Sequence, residues 1–326
     1  IKDLVQAGAK IAGIKPISSP SLSDSIGQFE SIINEIWGKN PALESHQYNE
    51  VLKSMNVAED VIIDKASSRI LYVHRNQVKP PTANRADLYW LNNRGGEKNR
   101  AEVSFRVSGK TPELWHPQTG KTEKVSYQIK DGRTILPLSF DPWEAYFIVF
   151  TNTTSIRNYT KPQKNETTLL TLHTPWQVKF QEGRSAPEST TLNSLISFSD
   201  HSDPGIKYFS GTAVYHNSFT LDSIDYKAKY VLDLGEVKNM AEVMINGKNI
   251  GVVWKTPFKI DISNKITPGI NTLEIKLTNL WVNRLIGDAQ ADTKQKITFT
   301  TMPFYRGNEP LLPSGLLGPV TILKVK

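Results

Sequence analysis

The 326 residues, 38% hydrophobic and 22% charged, read as a soluble globular chain long enough for two or three domains with cores of their own. The absence of cysteine excludes disulfides, a thiol nucleophile and a Cys-ligated zinc. The net charge of +7 comes from 39 scattered Lys and Arg with no basic block, so no nucleic-acid partner is expected. No apolar run approaches the ~20 residues of a membrane span either.

Residues 1–66 read as the remnant of an α/β domain. "IKDLVQAGAKIAGIKP" predicts a helix ending near Gly8, then a short strand over "KIAGI" and a stop at Pro16. Ile26, Phe29, Ile32, Ile33 and Ile36 recur at helical spacing before Gly38, and "SHQYNEVLKSMNV" predicts a third helix. The chain opens at Ile1 inside a helix-like stretch, which reads as a piece of a longer protein. The lack of a leader therefore carries no information about localisation.

From 67 to 151 the period changes to two. "RILYVHRN", "ADLYWLNN", "AEVSFRVSG" and "AYFIVFTN" are among several short strands, with turn signals at Gly95-Gly96, Ser108-Gly109 and Asp131-Gly132. Such spacing predicts a small antiparallel β-sandwich. Residues 152–168 are polar and aperiodic and read as a linker, with N-x-T triplets at Asn152, Asn158 and Asn165. Residues 169–326 return to strands, with Asn246-Gly247 as a tight hairpin, and predict a jelly roll. The fold class is thus mainly β.

The chemistry-bearing residues are sparse. The histidines show no H-x-x-x-H spacing, and neither a G-x-S-x-G elbow nor a glycine-rich phosphate loop occurs. Asp200, His201 and Asp203 lie close together, but Asp203-Pro204-Gly205 reads first as a turn. No cofactor is expected, and a structural cation is left open. Glycoside cleavage needs two carboxylates about 5–5.5 Å or about 6.5–9.5 Å apart across one bond. Asp288 is the one acid beside aromatic and hydrogen-bonding groups, and Asp233 and Asp261, alternating with apolar residues, read as facing solvent or capping turns. No catalytic residue is therefore assigned.

Trp37, Trp115, Trp143 and Trp176 lie in apolar-patterned elements and are expected in cores. Trp254 and Trp281 sit at strand ends beside turns, where an indole can stack on a sugar. Trp254, Trp281, Asn283, Arg284 and Asp288 are accordingly the candidate sugar contacts. A rival reading makes Arg284 and Asp288, four apart, an ion pair in a structural corner if the segment turns helically.

The run "LDLGEV…AEVMINGKNIG…PFKIDIS…GINTLEI" resembles the sugar-binding jelly roll of family 2 glycoside hydrolases. "GIKYFSGTAVYHNSF" (205–219), "LWVNRLIGD" (280–288) and "LLPSGLLGPVTI" (311–322) together resemble the C-terminal end of glycoside hydrolase family 106, whose described members are α-L-rhamnosidases. Residues 4–22 and 107–150 resemble upstream parts of the same proteins. The resemblance implies a galactose-binding-like jelly roll and a catalytic barrel that lies N-terminal to Ile1 in the parent chain. It also implies export to the periplasm or surface of a glycan-degrading bacterium, and carbohydrate as a partner. Two alternatives stay open: a stand-alone carbohydrate-binding module and a purely structural interaction module.

Overall fold

The computed structural model describes residues 1–38, 48–78, 85–173, 175–293 and 296–326. They fall into two compact units, Ile1–Lys161 and Pro162–Lys326.

The first unit opens with helices α1 (Lys2–Gln6), α2 (Ile26–Gly38) and α3 (Tyr48–Ser54). α2 buries Ile33 and Ile36, one turn apart, as its apolar stripe requires. The strand expected over Lys10–Ile14 does not form. No described strand pairs with it, and an unpaired strand leaves its backbone groups to water. The part of the expected third helix before Tyr48 lies outside the described residues.

Ten strands follow: β1 (Val61–Asp64), β2 (Ile70–Val78), β3 (Arg85–Asn93), β4 (Asn99–Phe105), β5 (Lys110–Trp115), β6 (Thr122–Lys124), β7 (Tyr127–Lys130), β8 (Arg133–Phe140), β9 (Ala145–Thr153) and β10 (Asn158–Tyr159). They form two five-stranded antiparallel sheets, β1-β4-β8-β7-β10 and β2-β3-β9-β5-β6. Alternation supplies the core between them: Tyr89, Leu91, Phe105, Leu136, Phe140 and Ile148 are completely buried. Each such side chain contributes about 1.5–3 kcal/mol relative to leaving it exposed.

A polar network closes one edge of this core. His74 bridges Asp60, at 2.9 Å from Nδ1, and Asp87, at 3.3 Å from Nε2, while stacking on Tyr89 with centroids 4.0 Å apart. Lys110 Nζ reaches Asp87 at 2.8 Å.

The second unit contains β11 (Glu166–Thr171), β12 (Trp176–Phe180), β13 (Ser189–Leu192), β14 (Thr212–Leu221), β15 (Lys229–Asp233), β16 (Glu236–Lys238), β17 (Met240–Ile245), β18 (Lys248–Val253), β19 (Lys259–Asp261), β20 (Gly269–Thr278), β21 (Gly315–Gly318) and β22 (Thr321–Val325). A four-stranded sheet, β11-β22-β15-β19, and a six-stranded sheet, β13-β12-β14-β20-β17-β18, enclose Trp176, Tyr215, Leu232, Val243 and Ile275. This is the jelly-roll sandwich. The hairpin between β17 and β18 turns on Asn246 (φ 51°) and Gly247 (φ 71°), the left-handed pair its sequence predicts.

Within "GINTLEI", Asn271 has a physical reason to follow Gly269 by two residues. Asn271 is fully buried; its Nδ2 donates to the Thr267 and Gly269 carbonyls, and its Oδ1 accepts from Thr267 N–H at 2.8 Å. Asn246 Nδ2 also donates to Asn271 Oδ1, tying the hairpin to the start of β20.

Part of the stretch read as a linker is strand. Asn158–Tyr159 pairs with β7, and Glu166–Thr168 pairs with β22. A threonine-rich run that buries nothing suits an exposed edge strand as well as a tether.

Candidate functional site

The site begins where β20 ends. Asn279 is buried there: its Oδ1 accepts from Gly211 N–H at 2.8 Å, and its Nδ2 donates to Phe209 O and Ser314 Oγ. One amide thus ties the strand exit to two loops distant in sequence. Its signal was the lone Asn in "LTNLW", which the sequence reading passed over.

Helix α4 (Pro204–Lys207) lies in the first of these loops. Asp203 caps it through Gly205 N–H, and His201 Nδ1 accepts from Asp203 N–H at 3.0 Å. The pair does turn work, and among the described residues no group of three His, Asp or Glu side chains is arranged to hold a metal.

Helix α5 (Val282–Asp288) follows Trp281. The helical turn brings Arg284 Nη2 to 2.8 Å from Asp288 Oδ1, both side chains nearly buried. Arg284 Nε and Asp288 Oδ1 are buried without a hydrogen bond among the described residues. The contact is therefore a one-sided charge pair, not a bidentate fork. Asp288 Oδ2 is fully used: it accepts from Ile297 N–H, Thr298 N–H and Thr298 Oγ1. Asn283 bridges to Leu312, donating to its carbonyl at 2.7 Å and accepting from its N–H at 2.9 Å.

Gly287 lets Tyr208 lie against the helix, since a Cβ there would stand 2.6 Å from Tyr208 Cγ. The Arg284 guanidinium sits 5.8 Å from the centroid of that ring.

Two depressions flank α5. One, of about 490 Å³, is polar and lined by Ser202, Lys207, Tyr208, Arg284, Gln290 and Asp292, among others. The other, of about 240 Å³, lies between Leu285 on the helix, Ala289 just past its end, and Phe299, Phe304 and Tyr305 on the following loop. Phe299 and Phe304 are largely exposed.

The candidates therefore divide. Asn283, Arg284 and Asp288 come together as a corner whose polar atoms mostly serve the protein. Trp281 and Trp254 are 68% and 60% exposed and point their surface outward. Strand register brings them to one end of the six-stranded sheet: Val253 pairs with Ala241, Ala241 with Leu277, and each tryptophan follows shortly after.

Of the tryptophans expected in cores, Trp176 is buried, but Trp115 and Trp143 are 36% and 63% exposed. Trp143 occupies a turn at φ 56°, and Trp115 falls on the outward alternation of β5. Asp233 and Asp261 accept from Gly235 and Ser263 N–H, capping turns as expected.

Residues 1–129 match the family model described as alpha-L-rhamnosidase, and residues 198–307 match that of the glycosyl hydrolase 2 galactose-binding domain-like family. The chain superposes on the rhamnosidase from Novosphingobium sp. PP1Y over 99% of its length, with a TM-score of 0.82 and 38% identity. It is 40% identical, over 45% of its length, to a Formosa agariphila protein provisionally named a beta-glucuronidase. It spans 31% of the former and 15% of the latter. No helix among the described residues is long and apolar enough to cross a membrane. Residues 1–129 are thus similar to the α-L-rhamnosidases of family 106, and residues 198–307 to the galactose-binding-like domain of glycosyl hydrolase 2.

Proposed function

We propose that this chain is the C-terminal, non-catalytic portion of an exported α-L-rhamnosidase-like glycoside hydrolase acting on plant or microbial glycans. Its jelly roll braces the catalytic barrel and offers Trp254 and Trp281 to the glycan. One observation carries the reading. Among the described residues the two buried carboxylates, Asp87 and Asp288, are each committed to a cation and to further hydrogen bonds, so neither faces a described partner acid across an open cleft. Glycoside cleavage needs two such acids, one to protonate the leaving oxygen and one to attack or activate water. The exported location rests on the resemblance to family 106 enzymes, with which the cysteine-free composition agrees, and fractionating cells that produce the full reading frame checks it.

Calorimetric titration with rhamnose-containing glycans tests the glycan contact. The reading expects saturable heat that Trp281→Ala or Trp254→Ala reduces; no heat at millimolar sugar leaves only the bracing role. A stand-alone carbohydrate-binding module is the second reading, favoured by the exposure of both indoles at one end of the sheet. It differs in expecting full affinity without the rest of the parent.

A further inference from the structure

The outer face of the sheet β2-β3-β9-β5-β6 carries side chains that a merely solvated face does not need. Along β3, Asp87, Tyr89 and Leu91 turn inward, which sends Leu88, Trp90 and Asn92 outward. Cross-strand register sets Val73 opposite Trp90, Trp90 opposite Phe147, and Phe147 opposite Trp115. One apolar row thus crosses four strands, roughly 14 Å from end to end at the usual strand spacing. Trp90 and Phe147 are half-buried, and Val73 and Trp115 are open to solvent. Val73, Arg75, Leu88, Trp90 and Phe147 line a shallow groove of about 320 Å³. Single exposed apolar residues are ordinary, but a contiguous row with two indoles marks an interaction surface.

The charges along the row are asymmetric. Arg75, exposed at the β2 end, forms no ion pair with any described residue. At the β5 end Trp115 Nε1 donates to Glu113 Oε2 at 3.1 Å, which steadies the indole and leaves a carboxylate beside it. A ligand lying along the row meets a cation first, then aromatic faces, then an acceptor.

We propose that this face is a glycan platform, separate from the jelly-roll end, that takes a short oligosaccharide bearing a terminal uronate. Pyranose C–H faces lie on Trp90 and Phe147, the uronate carboxylate meets Arg75, and sugar hydroxyls donate to Glu113. Charge complementarity selects this occupant. An unpaired guanidinium beside apolar rings suits a planar carboxylate, whereas an apolar protein surface would bury it without a partner. Glu113 repels a second carboxylate, so a chain acidic at one end fits better than a polyuronate.

The probes are glucuronosyl-xylobiose and its neutral counterpart xylotriose, each titrated into the 326-residue chain by calorimetry. The acidic sugar binds about tenfold more tightly at low salt, and Arg75→Gln removes that preference. Trp90→Ala abolishes binding of both, while Trp281→Ala leaves both unchanged, so this proposal and the jelly-roll reading fail separately. Arg75→Gln changes an exposed side chain and keeps the test valid if Trp90→Ala does not fold. No saturable binding at millimolar sugar overturns the proposal, as does binding that neither variant alters. A concentration-dependent dimer that Trp90→Ala dissociates overturns it too, because a second copy then covers the face.

Discussion

Replacing Asp288 by alanine separates a structural corner from a sugar pocket. The substitution strips Arg284 of its partner and leaves a guanidinium buried in a site 7% exposed. It also frees two backbone donors, Ile297 N–H and Thr298 N–H, together with the Thr298 hydroxyl. Breaking a buried pair typically costs about 3–5 kcal/mol. The pair here is one-sided, with Nε unbonded, so the lower end, about 3 kcal/mol, applies to the charge itself. The freed donors sit beside a depression that water reaches, so they add about 1 kcal/mol between them. The expected total of about 4 kcal/mol should lower the midpoint of a unit this size by roughly 8–16 °C. Urea unfolding followed by tryptophan fluorescence and by far-ultraviolet dichroism measures it. A loss below about 1 kcal/mol, with sugar binding abolished, would refute the structural assignment of Asp288.

Trp281→Ala, by contrast, removes a side chain with most of its surface in water and should change stability by no more than about 0.5 kcal/mol, whereas Trp176→Ala at 1% exposure should cost about 3–5 kcal/mol in the same unfolding assay. Asn271→Ala leaves the Thr267 N–H and the hairpin amide of Asn246 without their acceptor and should cost about 2–3 kcal/mol by denaturant unfolding. Burial alone would raise the Asp87 carboxyl, but hydrogen bonds from Lys110, Asn76 and His74, with the Lys110 charge, hold it below the usual carboxylate range. A carboxyl depressed by folding contributes stability above its unfolded value, near 4, and that contribution is lost as pH falls through the lower folded value. Stability of the first unit should therefore decline below about pH 4, and Lys110→Met should flatten the decline.

The sequence made the sandwich strands legible because one buried face imposes period two, as the alternating burial of Asn99–Phe105 shows. The Asn246-Gly247 hairpin was legible because only such residues take two left-handed conformations cheaply. The Arg284–Asp288 pairing needed only the helical spacing of α5. What stayed hidden depends on partners distant in the chain. Alternation tells which residues share a face but not which face meets the core, so Trp115 was read inward. The Val73–Trp90–Phe147–Trp115 row exists only once the register of four strands is known. Asn279 earns its role from loops some 35 and 70 residues away in sequence. The "KIAGI" strand failed for the converse reason: local pattern without a neighbour to pair with.

The non-catalytic role is decided by incubating the 326-residue chain with an aryl α-L-rhamnoside between pH 4 and 8 and following aglycone release. Release no faster than in buffer is expected at every pH in that range. Turnover well above that blank, abolished by amidating a single carboxylate such as Asp292→Asn or Asp288→Asn without unfolding the chain, would contradict it.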